Sequence, residues 1–375
     1  MKQRSTVRGV SAACLLAVPL ALSGCGLFGS ESSGAIDPPP AEVEAQMLSY
    51  ADGGQMLLPD QAAVVTETGE TPDQAAANTA PQGPRTTVFL QDGSGLLAPV
   101  AVPLPEAKGT DAMEQALEAL VADGPYQSSL PSGFSGVLPK GTEVKAVTMD
   151  EAEGLAVVEL GGAFSTYRAG DERKILEALT WTLTGQEGVR QVQLWENGKK
   201  LTEMPVNQTP LASGPLDRSL GINLTQSGGP HDMNAGAVTV YFSAATPEGL
   251  QYYVPITRFV DSGKDRLTAA IDELIEGPEA GEPLEQVMTS GTTLKSVQKE
   301  DGGIVSVALD DEMFEGSGKV PAELLKSVVL TVAGNTDGER PLVKVSLNGG
   351  ETTGTDNVNY SKPVSAPEAV NQFPM

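Results

Sequence analysis

Two stretches of this sequence, residues 85–201 and 237–351, carry one pattern of elements at an offset of roughly 150 residues. A chain built this way is expected to fold the same unit twice. Each copy opens on a strand-like run, Thr87-Val88-Phe89-Leu90 in the first and Thr239-Val240-Tyr241-Phe242 in the second. Val102-Pro103-Leu104 and Val254-Pro255-Ile256 follow as a matched second strand, placed at a sheet edge because proline cannot donate to a ladder. An amphipathic helix comes next. Met113, Ala116, Leu117, Leu120 and Val121 share one face in the first copy; Leu267, Ala270, Ile271, Leu274 and Ile275 do so in the second. Both helices are expected to end at Gly-Pro, Gly124-Pro125 and Gly277-Pro278, since glycine closes a helix and proline cannot continue one.

The pattern then changes to period two. Val144, Ala146 and Thr148 alternate, as do Leu294, Ser296 and Gln298 less regularly. Behind Gly154 and Gly303, Ala156, Val158 and Leu160 match Val305, Val307 and Leu309 as the second arm of a hairpin. A second helix carries Ile175, Leu176, Leu179 and Leu183, matched by Leu324, Leu325, Val328 and Val332 behind Pro321. Val192 and Leu194, like Val343, Val345 and Leu347, close each copy before an Asn-Gly turn, Asn197-Gly198 and Asn348-Gly349. The fold class predicted is α+β: two tandem β-β-α-β-β-α-β domains, each a small sheet with two helices on one face. At about 115 residues, each copy can bury its own core.

The flanks read differently. Residues 1–24 have the order of an export signal: Lys2, Arg4 and Arg8, then an apolar run too short to span a bilayer, then Leu22-Ser23-Gly24-Cys25. That ending is similar to the lipobox of bacterial lipoprotein precursors, which makes Cys25 the expected lipidation site. Cys14 leaves with the leader, so the mature chain has no second cysteine for a disulfide. Two acyl chains on Cys25 would hold the protein on a membrane without a transmembrane helix. Residues 25–84, rich in Pro, Gly, Ser and Ala, read as a tether with a reach of roughly 40 Å. Residues 352–375 lack periodicity and read as a tail. Residues 202–236 link the copies, but Met204, Val206, Leu211, Leu216, Leu220, Ile222 and Leu224 are too apolar for a free linker, so 202–224 is expected to pack on one or both domains.

Charge narrows the partners. The net charge is −25, and loss of the three leader cations leaves 21 basic against 49 acidic residues, or −28. Such a surface repels phosphate backbones, so nucleic acid is not expected as a partner. Catalytic vocabulary is sparse. His231, the only histidine, lies in a polar Gly/Asn-flanked run and reads as solvated. It is also too little for a zinc site. Asp310-Asp311-Glu312 is the carboxylate cluster best suited to a hydrolase or a calcium site, yet Gly161-Gly162-Ala163 replaces it in the first copy and no calcium-loop spacing surrounds it. Gly161-Gly162 lacks the rest of a nucleotide-binding fingerprint. Trp181 reads as core, and Trp195 could face either side of its strand. No catalytic residue, metal ligand or cofactor is predicted.

Together with the lipobox and both repeats, Ile36-Asp37-Pro38-Pro39, Gly133-Phe134, Val137-Leu138-Pro139, Thr180-Trp181-Thr182-Leu183-Thr184, Glu203-Met204-Pro205-Val206, Thr209-Pro210 and Gly221-Ile222-Asn223-Leu224 resemble the GerM-like sporulation and germination lipoproteins with tandem GerMN domains. The resemblance implies a lipid-anchored protein on the mother-cell membrane, facing the space between mother cell and forespore. It implies a non-enzymatic scaffold or adaptor that helps assemble or position the channel complex during engulfment and supports later cortex formation and germination. Its partners would be extracytoplasmic channel proteins and the membrane. The domains are similar to the ring-building motifs of secretion-system rings, which raises self-association. Two other classes compete: a peptidoglycan hydrolase or its regulator, and a solute-binding lipoprotein. Tandem repeats with a single connection argue against the ligand-closing cleft of the last.

Overall fold

The computed structural model describes residues 85–211, 214–224, 235–316, 319–336 and 340–373. In the first repeat the order is β1 (Arg85–Gln91), β2 (Leu97–Pro103), α1 (Thr110–Glu118), β3 (Thr142–Asp150), β4 (Leu155–Gly162), α2 (Glu172–Leu183), β5 (Gln191–Glu196) and β6 (Lys199–Lys200). The second runs β7 (Ala235–Ala245), β8 (Gln251–Asp261), α3 (Arg266–Glu276), β9 (Thr293–Glu300), β10 (Ile304–Asp310), α4 (Ala322–Gly334), β11 (Leu342–Leu347) and β12 (Val364–Ser365).

The strands of each repeat form two sheets rather than the expected one. β1 and β2 make an antiparallel hairpin, as do β7 and β8. The others form sheets ordered β3-β4-β5-β6 and β12-β11-β10-β9, in which β4/β5 and β10/β11 are parallel. The reason lies on the outer edge of β1 and β7. There a helix, not a strand, meets the main chain: Phe89 N–H donates to Thr182 Oγ1 at 3.0 Å, and Tyr241 N–H to Thr331 Oγ1 at 3.0 Å. Helices α2 and α4 therefore contact the hairpin as well as the larger sheet and are buried almost all round, including Ile175, Leu176, Leu179 and Trp181, or Leu324, Leu325, Val328 and Leu330.

Three local expectations are corrected. Helix α1 stops at Glu118, before Gly124; Val121 then bridges to Leu138, whereas α3 does run to its glycine, Gly277, at φ +89°. The alternation of β3 changes phase at a bulge around Lys145, so Val147 is buried in place of Ala146 and Thr148. A matching bulge around Lys295 breaks the Leu294-Ser296-Gln298 alternation in β9. The structural counterpart of Pro255 is Pro99, not Pro103: Phe89 pairs with Pro99 as Tyr241 pairs with Pro255. The second hairpin is longer, eleven residues per strand against seven, and that insertion shifts the match.

The repeats also extend further than their Asn-Gly turns. Both turns have positive φ at both residues, as a tight hairpin connection requires (Asn197 +50°, Gly198 +78°; Asn348 +53°, Gly349 +67°). Beyond them, Leu216 pairs with Val192, and Val364 of β12 pairs with Val343. Met204 and Ile222 are buried after the first copy; Tyr360, Ala366 and Phe373 are buried after the second. Residues 352–373 are thus not a loose tail but the counterpart of 202–211 and 214–224. Both are part of the packed body.

Candidate interaction seam between the repeats

Strands β2 and β8 lie side by side without a direct ladder, and two asparagines stand between them. Asn223, just after the first copy, donates through Nδ2 to Leu97 O (2.8 Å) and Pro255 O (2.9 Å), while Leu97 N–H donates to its Oδ1 (2.8 Å). Asn371, just after the second, donates to Tyr253 O (2.8 Å) and Pro99 O (2.8 Å) and accepts from Tyr253 N–H (2.8 Å). Each asparagine holds both main-chain groups of its own repeat's strand and reaches one carbonyl of the other. Exchanging the repeats maps one set of bonds onto the other.

Apolar and polar groups close the rest of the seam. Phe134 of the first repeat stands 5.1 Å from the ring of Tyr252 in the second and 5.0 Å from Phe373. The Tyr252 hydroxyl donates to Asp92 Oδ2 at 2.8 Å, and burial followed by that carboxylate pushes its pKa well above the ordinary tyrosine range. Ile222 N–H donates to Thr257 Oγ1 (2.8 Å), and Thr257 N–H returns a bond to Ile222 O (2.9 Å).

Two buried carboxylates of α2 fix the segment that carries Asn223. Glu172 accepts from Tyr167 Oη (2.7 Å), Asn207 N (2.8 Å) and Thr209 N (3.1 Å). Burial alone would raise its pKa, but these bonds outweigh it and the carboxyl ends below its ordinary value. Glu177 accepts from Asn223 N (3.0 Å) and pairs with Arg173 (2.7 Å). Here burial wins, and its pKa is raised.

The residues singled out from sequence fall in several places. Cys25, Cys14, His231 and Ile36-Asp37-Pro38-Pro39 lie outside the described residues. Asp310 pairs with Lys295 at 2.7 Å. Asp311 is buried and accepts from Thr289 Oγ1 (2.5 Å), Thr292 Oγ1 (2.6 Å) and Met313 N (2.9 Å), bonds that overcome its burial and lower its pKa. Asp311 acts as a loop brace, and among the described residues no group of His, Cys, Asp and Glu is arranged to hold a metal ion. Gly162 turns at φ +62° at the end of β4. Trp181 is core, donating to Gly221 O at 2.9 Å, whereas Trp195 is half-buried and donates to Gln193. Sequence reasoning named Asn223 only as part of the Gly221–Leu224 motif, with no role, and passed over Asn371. Their signal is an asparagine behind an apolar residue, Ile222 or Val370, at the end of each copy.

Fold and seam define a tandem-repeat α+β protein whose two copies are joined into one body. Comparison with known proteins places it further. The family described as Germane, sporulation and spore germination, matches residues 87–202 and 239–353, and the chain belongs to it. It is 35% identical over 370 residues to the spore germination protein GerM of Bacillus subtilis (strain 168), covering 96% of this chain and 97% of that protein. It is similar in structure to the tandem GerMN domains of the sporulation protein GerM from Bacillus subtilis, with a TM-score of 0.68 and 34% identity, over 77% of this chain and 98% of that one.

Proposed function

We propose that this protein is a non-enzymatic, lipid-anchored adaptor of sporulation, held by Cys25 on the mother-cell membrane and facing the space between mother cell and forespore. There it helps assemble or position the channel complex during engulfment, with later roles in cortex formation and germination. The observation that carries this reading is the seam: Asn223 and Asn371 lock two like domains into one body of defined orientation, which suits a part that spaces or aligns others. Family membership supports the sporulation setting. Each copy contains the order helix-strand-strand-helix-strand after its hairpin, the order of ring-building motifs, which supports binding to or within a ring. Of the carboxylates that would have served a hydrolase, Asp311 is committed to bracing a loop and Asp310 pairs with Lys295. No helix among the described residues is long and apolar enough to cross a membrane, and the lipid on Cys25 is the proposed anchor.

The test is crosslinking and co-purification from engulfing cells, with positions on both repeats as probes. Channel components are expected among the products. Their absence, with the protein present and folded, would overturn the adaptor reading. Cys25→Ala is expected to release the protein from the membrane fraction.

A further inference from the structure

Four basic side chains of this acidic protein share one cleft. Arg190, Arg218, Lys264 and Arg266 line an open cleft of about 810 Å³ between the repeats. Its acids are Asp217 and Asp261, and each is engaged locally, Asp217 with Ser219 N–H (2.8 Å) and Asp261 with Gly263 N–H (2.9 Å). Arg218 is held in position by two contacts: its guanidinium lies 4.6 Å from the Trp181 ring centroid, and its Nε donates to Thr184 Oγ1 at 3.0 Å. Arg190 donates to Ala152 O at 3.2 Å. Lys264 pairs with the exposed Asp272 at 3.8 Å, a pairing that another anion can replace.

One wall of the cleft is a strand edge. Along the outer side of β7, Thr239 is bonded by Asn335, Tyr241 by Thr331, and Ser243 by the main chain of Glu285. Ala237 is next in that register, is exposed in the cleft, and its outward N–H and C=O have no partner among the described residues. Cations beside an open strand edge select a ligand with main-chain groups at a strand repeat and carboxylates between them. A phosphate-bearing polymer would match the charge but not the edge.

We propose that this cleft receives an extended acidic segment of a partner protein, paired by its main chain to β7 at Ala237 and by its carboxylates to Arg190, Arg218 and Lys264. The inference rests on the adaptor reading only in assigning that segment to a partner protein. The test is fluorescence anisotropy of the full chain with a labelled octapeptide of alternating Glu and Thr. Saturable binding that weakens with salt is expected. The Gln-for-Glu peptide and an N-methylated peptide are each expected to bind about tenfold more weakly, as is the Arg218→Glu, Lys264→Glu double variant. Lys295→Glu with Lys344→Glu, away from the cleft, is expected to leave binding unchanged. Equal binding of the Gln or N-methylated peptide, equal loss in the distant variant, or displacement by an equal concentration of inorganic phosphate would each overturn the cleft assignment. Recovery of channel components without peptide binding would overturn it too, leaving the adaptor reading intact. Peptide binding without those components would support the cleft and count against the adaptor reading instead.

Discussion

Replacing Asn223 by alanine is the sharpest probe of the seam. The side chain makes three hydrogen bonds within 2.9 Å, and its loss strands Leu97 N–H, Leu97 C=O and Pro255 C=O in a buried site. At about 0.5–1.5 kcal/mol net per bond, the polar loss is about 2 kcal/mol once some relaxation is granted. A second cost is conformational. Asn223 sits at φ +50°, a region in which alanine is disfavoured by about 1 kcal/mol. Asn371 makes the same three bonds but is not among the residues with positive φ. Asn223→Ala is therefore expected to cost about 3 kcal/mol and Asn371→Ala about 2 kcal/mol. Asn223→Gly, which removes the side chain but tolerates the backbone, should fall near the Asn371 variant. Urea titration followed by tryptophan fluorescence measures all three, since Trp181 bonds to Gly221 beside the seam. Losses below about 0.5 kcal/mol for both alanine variants would refute the claim that these side chains lock the repeats. Equal costs for Asn223→Ala and Asn223→Gly would refute the backbone part alone.

Thr182→Val and Thr331→Val each remove a hydroxyl that accepts from a buried strand N–H, and each should lower stability by about 1–2 kcal/mol in the same titration. Losses that differ by much more than about 0.5 kcal/mol would count against equivalence of the repeats. Glu172 has a depressed pKa, so its stabilisation is present above its unfolded value of 4.5 and is lost as pH falls through the lower folded value. Glu172→Gln should flatten the acid side of the stability curve. Glu177 is raised, so the opposite holds: its charged form disfavours the folded state at neutral pH, and the penalty fades as pH falls through the raised value. Glu177→Gln keeps an acceptor for Asn223 N–H and should be neutral or stabilising at pH 7, with no gain in acid. Limited proteolysis should spare residues 205–220 until the body unfolds; early cuts there would contradict their packing.

What the sequence made legible was periodicity on a buried face. The stripe Ile175, Leu176, Leu179, Leu183 and its counterpart Leu324, Leu325, Val328, Val332 mark helices because one residue type recurs at helical spacing. The Asn-Gly turns were legible because few other pairs accept positive φ twice. The bulges at Lys145 and Lys295 were not, since one inserted residue reverses the face of everything after it and leaves a pattern that merely looks irregular. The extent of the repeat was hidden for another reason. Segments 202–211, 214–224 and 352–373 are held by isolated bridges, a two-residue strand and scattered main-chain and side-chain bonds, which leave no period to read.

The prolines explain why the two hairpins are joined by side chains and not merged into one sheet. A direct β2/β8 ladder would need N–H donors along both facing edges, and Pro99 and Pro255 have none. At those two positions only the carbonyls face the seam, so each edge offers acceptors that the other cannot satisfy. Asparagine resolves the mismatch. Its amide supplies two N–H groups, one for the carbonyl of each repeat, and its oxygen takes the remaining strand N–H at Leu97 or Tyr253. A proline in each facing strand and an asparagine after each copy are thus parts of one device. The same pairing that stops the sheets from fusing holds them at a fixed separation, which is the property an adaptor with two like domains needs.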